Sequence, residues 1–279
     1  MTRCKYAYFF AVYCVTLQVM LIKDQLGKSL HIKERPKRII SLVPSQSEFL
    51  WDIGIRNELL GISKFCIHPD IMFKSKARVG GTKDLDLDKI RSLKPDLIIG
   101  NKEENEKNQI ETLQKEFNVW MSDVYNFEDA FAMMSELGSV LDKANETRSI
   151  LDKLSISLPK IKNIFNHQKV AYFIWNKPYM FAGKNTFIDF ILKYVGLTNT
   201  LGNLQRYPEL NKEELTNLNP EYCLLSSEPF PFSRKHINEI QGILPKSKLI
   251  FVDGEMFSWY GSRLLHLERY LYTLKENFL

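Results

Sequence analysis

The segment Gly254-Glu-Met-Phe-Ser-Trp-Tyr-Gly-Ser-Arg263 packs three aromatic side chains and an arginine into one loop-to-helix junction. The planar fork of Arg263 suits a carboxylate or phosphate group. Trp259, Tyr260, Trp175, Tyr179 and Tyr207 together suit the face of a large flat ligand, although any one of them serves equally well as a core residue. Trp259 and Tyr260, as loop residues, are expected to be exposed. Glu103, Glu104 and Glu106 form a second group, interleaved with Lys102 and Lys107. They read either as a solvated loop and helix start or as a docking surface for a basic partner. Catalytic constellations are weak. The five histidines fall in unrelated places, and there is no Gly-x-Ser-x-Gly elbow, P-loop or His-Glu-x-x-His. Gly80-Gly81-Thr82 is too short for a dinucleotide fingerprint. Cys66-Ile-His68 offers two soft ligands without a second pair, and none of the four cysteines forms Cys-x-x-Cys, so neither a metal site nor a disulfide framework is expected. Acid–base catalysis would fall to a buried carboxyl with a shifted pKa, Glu255 or Glu228.

The elements that must position these groups repeat. Asp86 to Ile99 reads nearly in register with Asn211 to Leu224, each a short amphipathic helix followed by Lys/Asn-Pro-Asp/Glu and an apolar strand. Pro95 and Pro220 are 125 positions apart, and Glu103 falls on Glu228 in the same repeat. Arg38 to Leu42 answers Lys169 to Phe173. Two similar lobes, and a cleft between them, follow. Residues 22–125 form the first lobe and 167–279 the second. Ile22 to Ile32 reads as a hairpin turning at Gly27-Lys28. The strand from Arg38 to Val43 is stopped by Pro44, and Ser45-Gln-Ser-Glu48 fits a capping box. Strands alternating with helices argue for parallel α/β lobes, in which ligands sit beyond the carboxyl ends of the strands. Those ends are Pro44, Ser45, Gln46, Phe65 and Gly100 to Glu104 (Asn101 among them) in the first lobe. In the second they are Trp175, Lys177, Tyr179, Glu228, Phe230, Phe232 and Glu255 to Arg263.

Residues 126–166 differ. Phe127, Phe131, Met134, Leu137, Leu141, Ile150, Leu151, Leu154 and Leu158 recur at helical spacing. A helix of about 30 residues, about 45 Å long, would be a stiff rod crossing between lobes. An ordinary helical hairpin turning near Lys143-Ala-Asn-Glu is the alternative. The 279 residues suit two domains, and 44% apolar with 25% charged residues is an ordinary globular composition. The net charge of +5 is spread without a basic stripe, so no nucleic-acid partner is expected. In residues 1–21, Arg3 and Lys5 precede an uncharged run from Tyr6 to Ile22. This is an export signal or anchor, or an extension ahead of a start at Met20. The run is about 17 residues, against about 20 for a transmembrane helix.

Arg38-Ile-Ile-Ser-Leu-Val-Pro-Ser-Gln-Ser-Glu, Gly80-Gly-Thr, Leu87 to Lys94-Pro-Asp-Leu-Ile-Ile and the helical stretch after them resemble the periplasmic binding proteins for cobalamin and ferric siderophores, over nearly the whole chain from Ile22. Ser-Leu-Val-Pro-Ser and Val-Asp-Gly-Glu-Met-Phe-Ser-Trp-Tyr-Gly-Ser-Arg look most like the cobalamin members. The resemblance implies an α/β fold of two parallel-sheet lobes bridged by one long rigid helix. It also implies a metal-chelate ligand (corrinoid, heme or ferric siderophore) in the cleft, and delivery to an ABC-type permease. It implies no catalysis, no resident cofactor, a monomer, and a place in the periplasm or anchored outside the inner membrane; a start at Met20 would make the protein cytoplasmic. The family docks one acidic residue from each lobe on the permease; Glu103, Glu104 or Glu106 and Glu228 are nearest, while the first-lobe motif position falls near Lys107. Asn101 stands where family members often carry a cleft tryptophan. An enzyme on the same architecture, or a cytoplasmic corrinoid or tetrapyrrole sensor, is the competing reading.

Overall fold

The computed structural model describes residues 20–278. Residues 1–19, most of the expected signal or anchor, lie outside the described residues. β1 (Met20–Lys23) and β2 (Ser29–Ile32) pair as the expected hairpin. It sits on the first lobe: Gln25 donates its backbone N–H to the Met121 carbonyl, and Asp123 donates its own to Gln25 Oε1.

The first lobe follows as β3 (Ile39–Ser41), α1 (Pro44–Asp52), β4 (Leu59–Ile62), α2 (Asp70–Ser75), β5 (Ala77–Arg78), α3 (Leu87–Ser92), β6 (Leu97–Asn101), α4 (Lys107–Leu113) and β7 (Val119–Ser122). Its sheet runs β5-β4-β3-β6-β7 and is parallel throughout. β3, β6 and β7 are buried along their length, as helices on both faces require. The expected capping box does not form. Val43 is the N-cap and makes no side-chain bond, and Pro44 starts the helix. Proline is preorganised for that position and leaves no N–H to satisfy, which frees Glu48 for a partner elsewhere.

The bridge departs from the rod. It consists of α5 (Phe127–Val140) and α6 (Ala144–Ser157), followed by a 3-10 turn at Leu158–Ile161. The break covers Leu141 to Lys143, with Asp142 at φ 55°. Gly138 explains the turn. It has no β-carbon, and the Thr147 side chain of α6 occupies the space where one would stand. The two-lobe α/β fold stands, and the crossing is made by α6, about 21 Å at 1.5 Å per residue, and its 3-10 turn.

The second lobe holds β8 (Lys169–Asn176), β9 (Tyr179–Phe181), α7 (Phe187–Tyr194), β10 (Thr198–Asn199), β11 (Glu209–Leu210), α8 (Lys212–Leu218), β12 (Tyr222–Ser226), α9 (Ile237–Ile243), β13 (Lys248–Val252), α10 (Glu255–Ser258) and α11 (Leu267–Lys275). Its sheet runs β11-β9-β8-β12-β13, with β10 beside β8. The parallel trio β8-β12-β13 answers β3-β6-β7 of the first lobe, as the sequence repeat implies. Along β8 the faces alternate. Val170, Tyr172 and Ile174 join the main core, whereas Ala171 and Phe173 join a smaller one beneath α8 and α9. The main core is continuous through both lobes, and Phe127 at the start of α5 stacks on Phe187, Phe190 and Tyr194 of α7. Among the described residues, no helix is long and apolar enough to cross a membrane.

Candidate functional site

The carboxyl ends of the parallel strands of both lobes converge on one seam. At the end of β6, Asn101 Oδ1 accepts from the backbone N–H of Glu103 (2.8 Å) and Glu104 (3.1 Å), and Nδ2 donates to Ser122 Oγ at the end of β7 (2.9 Å). Asn105 closes the loop from the other side, donating to the Thr82 carbonyl and accepting from the Asn101 N–H. The acidic segment is thus a built turn. From it Glu103 reaches the second lobe, where Arg206 Nη2 donates to Oε1 at 2.9 Å. The Arg206 guanidinium also lies 5.9 Å from the Tyr125 ring and 5.7 Å from the Tyr207 ring.

The other end of the seam is held by Arg263. Its Nε and Nη2 donate to the two oxygens of Glu48 on α1 (2.8 and 2.7 Å), and Nη1 contacts Glu255 Oε2 at 2.7 Å. Glu255 Oε1 lies 3.2 Å from His68 Nε2, on the loop after β4. The guanidinium stacks 4.7 Å from the Trp259 ring centroid, and His68 meets that ring edge-on. The result is a four-member chain, Glu48–Arg263–Glu255–His68, that crosses from lobe to lobe and back. Burial raises the Glu255 carboxyl above its usual range, and Arg263 and His68 oppose that rise. Gly261 allows the segment to lie on α1, since a β-carbon there would stand 2.5 Å from the Ser45 carbonyl oxygen.

Between these ends lies a polar floor. Tyr260 is 6% exposed and sits beside Ser45 and Ser122. Gln46 Oε1 is buried without a hydrogen-bond partner, and Tyr260 OH and Ser45 Oγ, buried as neighbours of one another, make no well-formed hydrogen bond. Gln46 Nε2 donates to Ser122 Oγ. Above the floor, Glu228 follows β12, and its Oε1 accepts from Ser258 Oγ (2.7 Å) and Trp259 Nε1 (2.9 Å). Burial also raises its carboxyl. Glu104 approaches from the first lobe, enclosed by protein on most sides yet reached by solvent, as a cleft wall should be. Burial lifts its carboxyl from 4.5 to about 7; Glu228 and Glu103 add repulsion and Lys83 opposes them.

That shift carries a sign. The folded form holds the Glu104 proton more tightly than the unfolded chain, so its contribution to stability is full below pH 4.5 and is lost as pH rises through about 7. Glutamine mimics the protonated carboxyl. Glu104→Gln is therefore expected to raise the melting temperature at pH 8 by about 2 °C or more and to leave it unchanged at pH 4.5, as read by thermal denaturation followed by circular dichroism. An equal effect at both pH values would contradict the assignment.

The seam gathers Ser45, Gln46, Asn101, Glu103, Glu104, Tyr207, Glu228, Trp259, Tyr260 and Arg263 from the sequence expectation, with three corrections. Trp259 (5% exposed) and Tyr260 are buried rather than exposed; Glu228 takes the indole N–H, and the Tyr260 hydroxyl ends beside Ser45 and Ser122. Arg263 is spent on Glu48 and Glu255 instead of standing free for an anion. Asn101 is a turn anchor with its side chain fully engaged. Phe65 remains at the rim, 49% exposed. Trp175 and Phe230 meet each other at 5.5 Å within a separate aromatic group that includes Phe232 and His236. Tyr179 belongs to the smaller core and donates to Glu239 at 2.7 Å. Of Glu103, Glu104 and Glu106, the last alone stands open to solvent. Cys66 turns to Ser47 and Ser63, and burial pushes its thiol up to about 11, so it does not act with His68. Sequence reasoning missed Glu48, His68 and Arg206 as members of the seam; pairing between lobes leaves no periodic mark.

A protein of Bacillus subtilis (strain 168), the uncharacterized ABC transporter substrate-binding lipoprotein YvrC, is 24% identical over 211 residues, 72% of this chain and 67% of its own. The vitamin B12-binding protein of Vibrio vulnificus (strain CMCP6) is 24% identical over 198 residues, 68% of this chain and 71% of its own. The crystal structure of the periplasmic heme-binding protein HutB of Vibrio cholerae superposes with a TM-score of 0.71 at 16% identity, over 85% of this chain and 98% of that one. The sequence profile of the periplasmic binding proteins matches residues 39–241, and this chain belongs to that family.

Proposed function

We propose that the protein is the substrate-binding component of an ABC importer, capturing a large metal chelate of the corrinoid, heme or ferric-siderophore kind between its lobes and handing it to a permease on the outer side of the membrane. The observation that carries the reading is the convergence of the carboxyl ends of the parallel strands of both sheets on one seam, where Tyr207 and His68 bring half-buried aromatic surface and His68 meets the buried Trp259 edge-on. Relatives named for vitamin B12 and heme point to the same ligand size. The core running through both lobes limits closure, so binding is largely preformed. The protein acts as a monomer without a cofactor of its own, and its carboxylates bind and hold rather than catalyse. Permease docking in the first lobe falls to exposed Glu106, since Glu104 and Glu228 turn inward.

The test is a tryptophan-fluorescence titration of the purified protein with cyanocobalamin, hemin and a panel of ferric siderophores, corrected for ligand absorbance. Trp259 lies in the seam and reports occupancy. Saturable quenching by one class with Kd below about 1 μM, near −8 kcal/mol, is the expected result. Absence of binding by every class would overturn the reading.

A further inference from the structure

Resting on that reading of the seam, we propose that the cargo is cationic or neutral and amide-bearing on the face that meets Glu104 and Glu228, so that the cleft takes a corrinoid and turns away a chelate presenting carboxylates, such as heme with its two propionates. The first support is the disposition of charge. Apart from Lys64, which lies over Phe65 at the rim, the cations at the seam are committed to protein carboxylates: Arg206 to Glu103, Arg263 to Glu48 and Glu255, and Lys102 to Asp123. Lys83 lies on the Glu103 carbonyl and faces Glu106. Glu104 and Glu228, one from each lobe, form no ion pair among the described residues, and Glu228 accepts only from the neutral donors Ser258 and Trp259. A carboxylate entering this site would meet no free guanidinium fork and two uncompensated like charges.

The second support is independent of charge. Gln46 Oε1 lacks a partner, and Tyr260 OH and Ser45 Oγ, neighbours of one another, make no well-formed hydrogen bond; all three residues are more than nine-tenths buried. A buried polar atom left unpaired is costly. Gln46 Oε1 can only accept, and the two hydroxyls donate and accept. A primary amide, which offers both roles in one group, satisfies this set; a carboxylate cannot donate to Gln46. The groups facing Glu104 are Glu103 from its own turn, Lys83 from the loop after β5, the Cys66 thiol from the loop after β4, and Glu228, Tyr207 and Tyr260 from the second lobe. Because burial and these acids hold the Glu104 carboxyl near neutrality, a bound cation draws it into the ionised form, and binding releases a proton.

The experiment compares cobinamide, an amide-bearing cationic corrinoid, with hemin, by fluorescence titration of the wild-type protein and of Glu104→Gln and Glu228→Gln at pH 6 and pH 8. Expected are a preference for cobinamide of about tenfold or more at pH 8, a smaller preference at pH 6, and loss of that pH dependence in Glu104→Gln. Both substitutions should weaken cobinamide and tighten hemin. Circular dichroism checks folding, and the wild-type preference and its pH dependence need no variant. Hemin binding as tightly as cobinamide, or a preference unchanged in both variants and at both pH values, would overturn this inference and leave the importer role standing. Binding of neither chelate nor any siderophore would overturn the importer role, and this inference with it.

Discussion

Replacing Arg263 with alanine is expected to destabilise the protein by about 3 kcal/mol, because it strands two enclosed carboxylates at once. Arg263 is 11% exposed, Glu48 11% and Glu255 13%. The pair with Glu48 is bidentate, the strongest form of arginine–carboxylate contact. The loss should appear as a lower urea midpoint with an unchanged slope. Glu48→Gln in the Arg263→Ala background should restore part of the loss, since it removes one stranded charge, and the double-mutant cycle then reads the coupling directly. A loss below about 1 kcal/mol would place the network among the solvent-screened surface pairs. Affinity for a carboxylate-free ligand should respond less than stability does, because Arg263 clamps the lobes and its donors are taken by Glu48 and Glu255.

The parts of this molecule that could be read from sequence are those whose signals are local. Pro95 and Pro220 mark the entries to β6 and β12, and those strands occupy equivalent places in their sheets. The hairpin at Gly27 and the strand Tyr222–Ser226 follow from turn chemistry and apolar runs. The seam was legible as a place, through the strand ends, and less so as a set of contacts. Arg206 meets Glu103 across 103 positions, His68 meets Glu255 across 187, and Arg263 meets Glu48 across 215. No window of sequence contains both partners, and an arginine free to grip an anion has the same local sequence as one already held. Asn101 is a different case. Asparagine ahead of two residues whose N–H groups it can accept from is a turn signature, visible in Asn101-Lys-Glu-Glu, and it favours an anchor over a ligand contact.

These same contacts give the lobes their character. Two cross-lobe attachments, at Arg206 and at Arg263, bracket a floor of unpaired polar atoms. A ligand that enters must fit between fixed ends rather than draw two free lobes together. Specificity in such a site rests on matching the charge and hydrogen-bond roles already present, which is why Glu104 and Glu228 weigh more than the aromatic surface common to cofactor sites of many kinds.

Gly138→Ala is expected to destabilise the protein by about 2 kcal/mol, and the sign of the effect distinguishes two helices from one. In the middle of an uninterrupted exposed helix, alanine in place of glycine stabilises by about 0.5–1 kcal/mol, since it removes conformational freedom from the unfolded chain. Here the new methyl group would occupy the place of the Thr147 side chain, which is 2% exposed and packed at the junction of α5 with α6. Overpacking of this kind costs about 1–3 kcal/mol and outweighs the gain in helix propensity. Thr147→Ala removes the colliding hydroxyl but keeps the β-carbon, 2.8 Å from the new one, so the double variant should recover part of the loss, measured by urea denaturation of the four proteins. Stabilisation by Gly138→Ala alone would argue for the rod and against the turn at Leu141 to Lys143. The contact matters beyond stability because it fixes where α6 leaves α5, and α6 in turn packs against Ser262–His266, the segment that carries Arg263 to Glu48. A shift at Gly138 should therefore reach the seam, lowering ligand affinity together with stability, whereas a change confined to the α5 surface would leave affinity untouched.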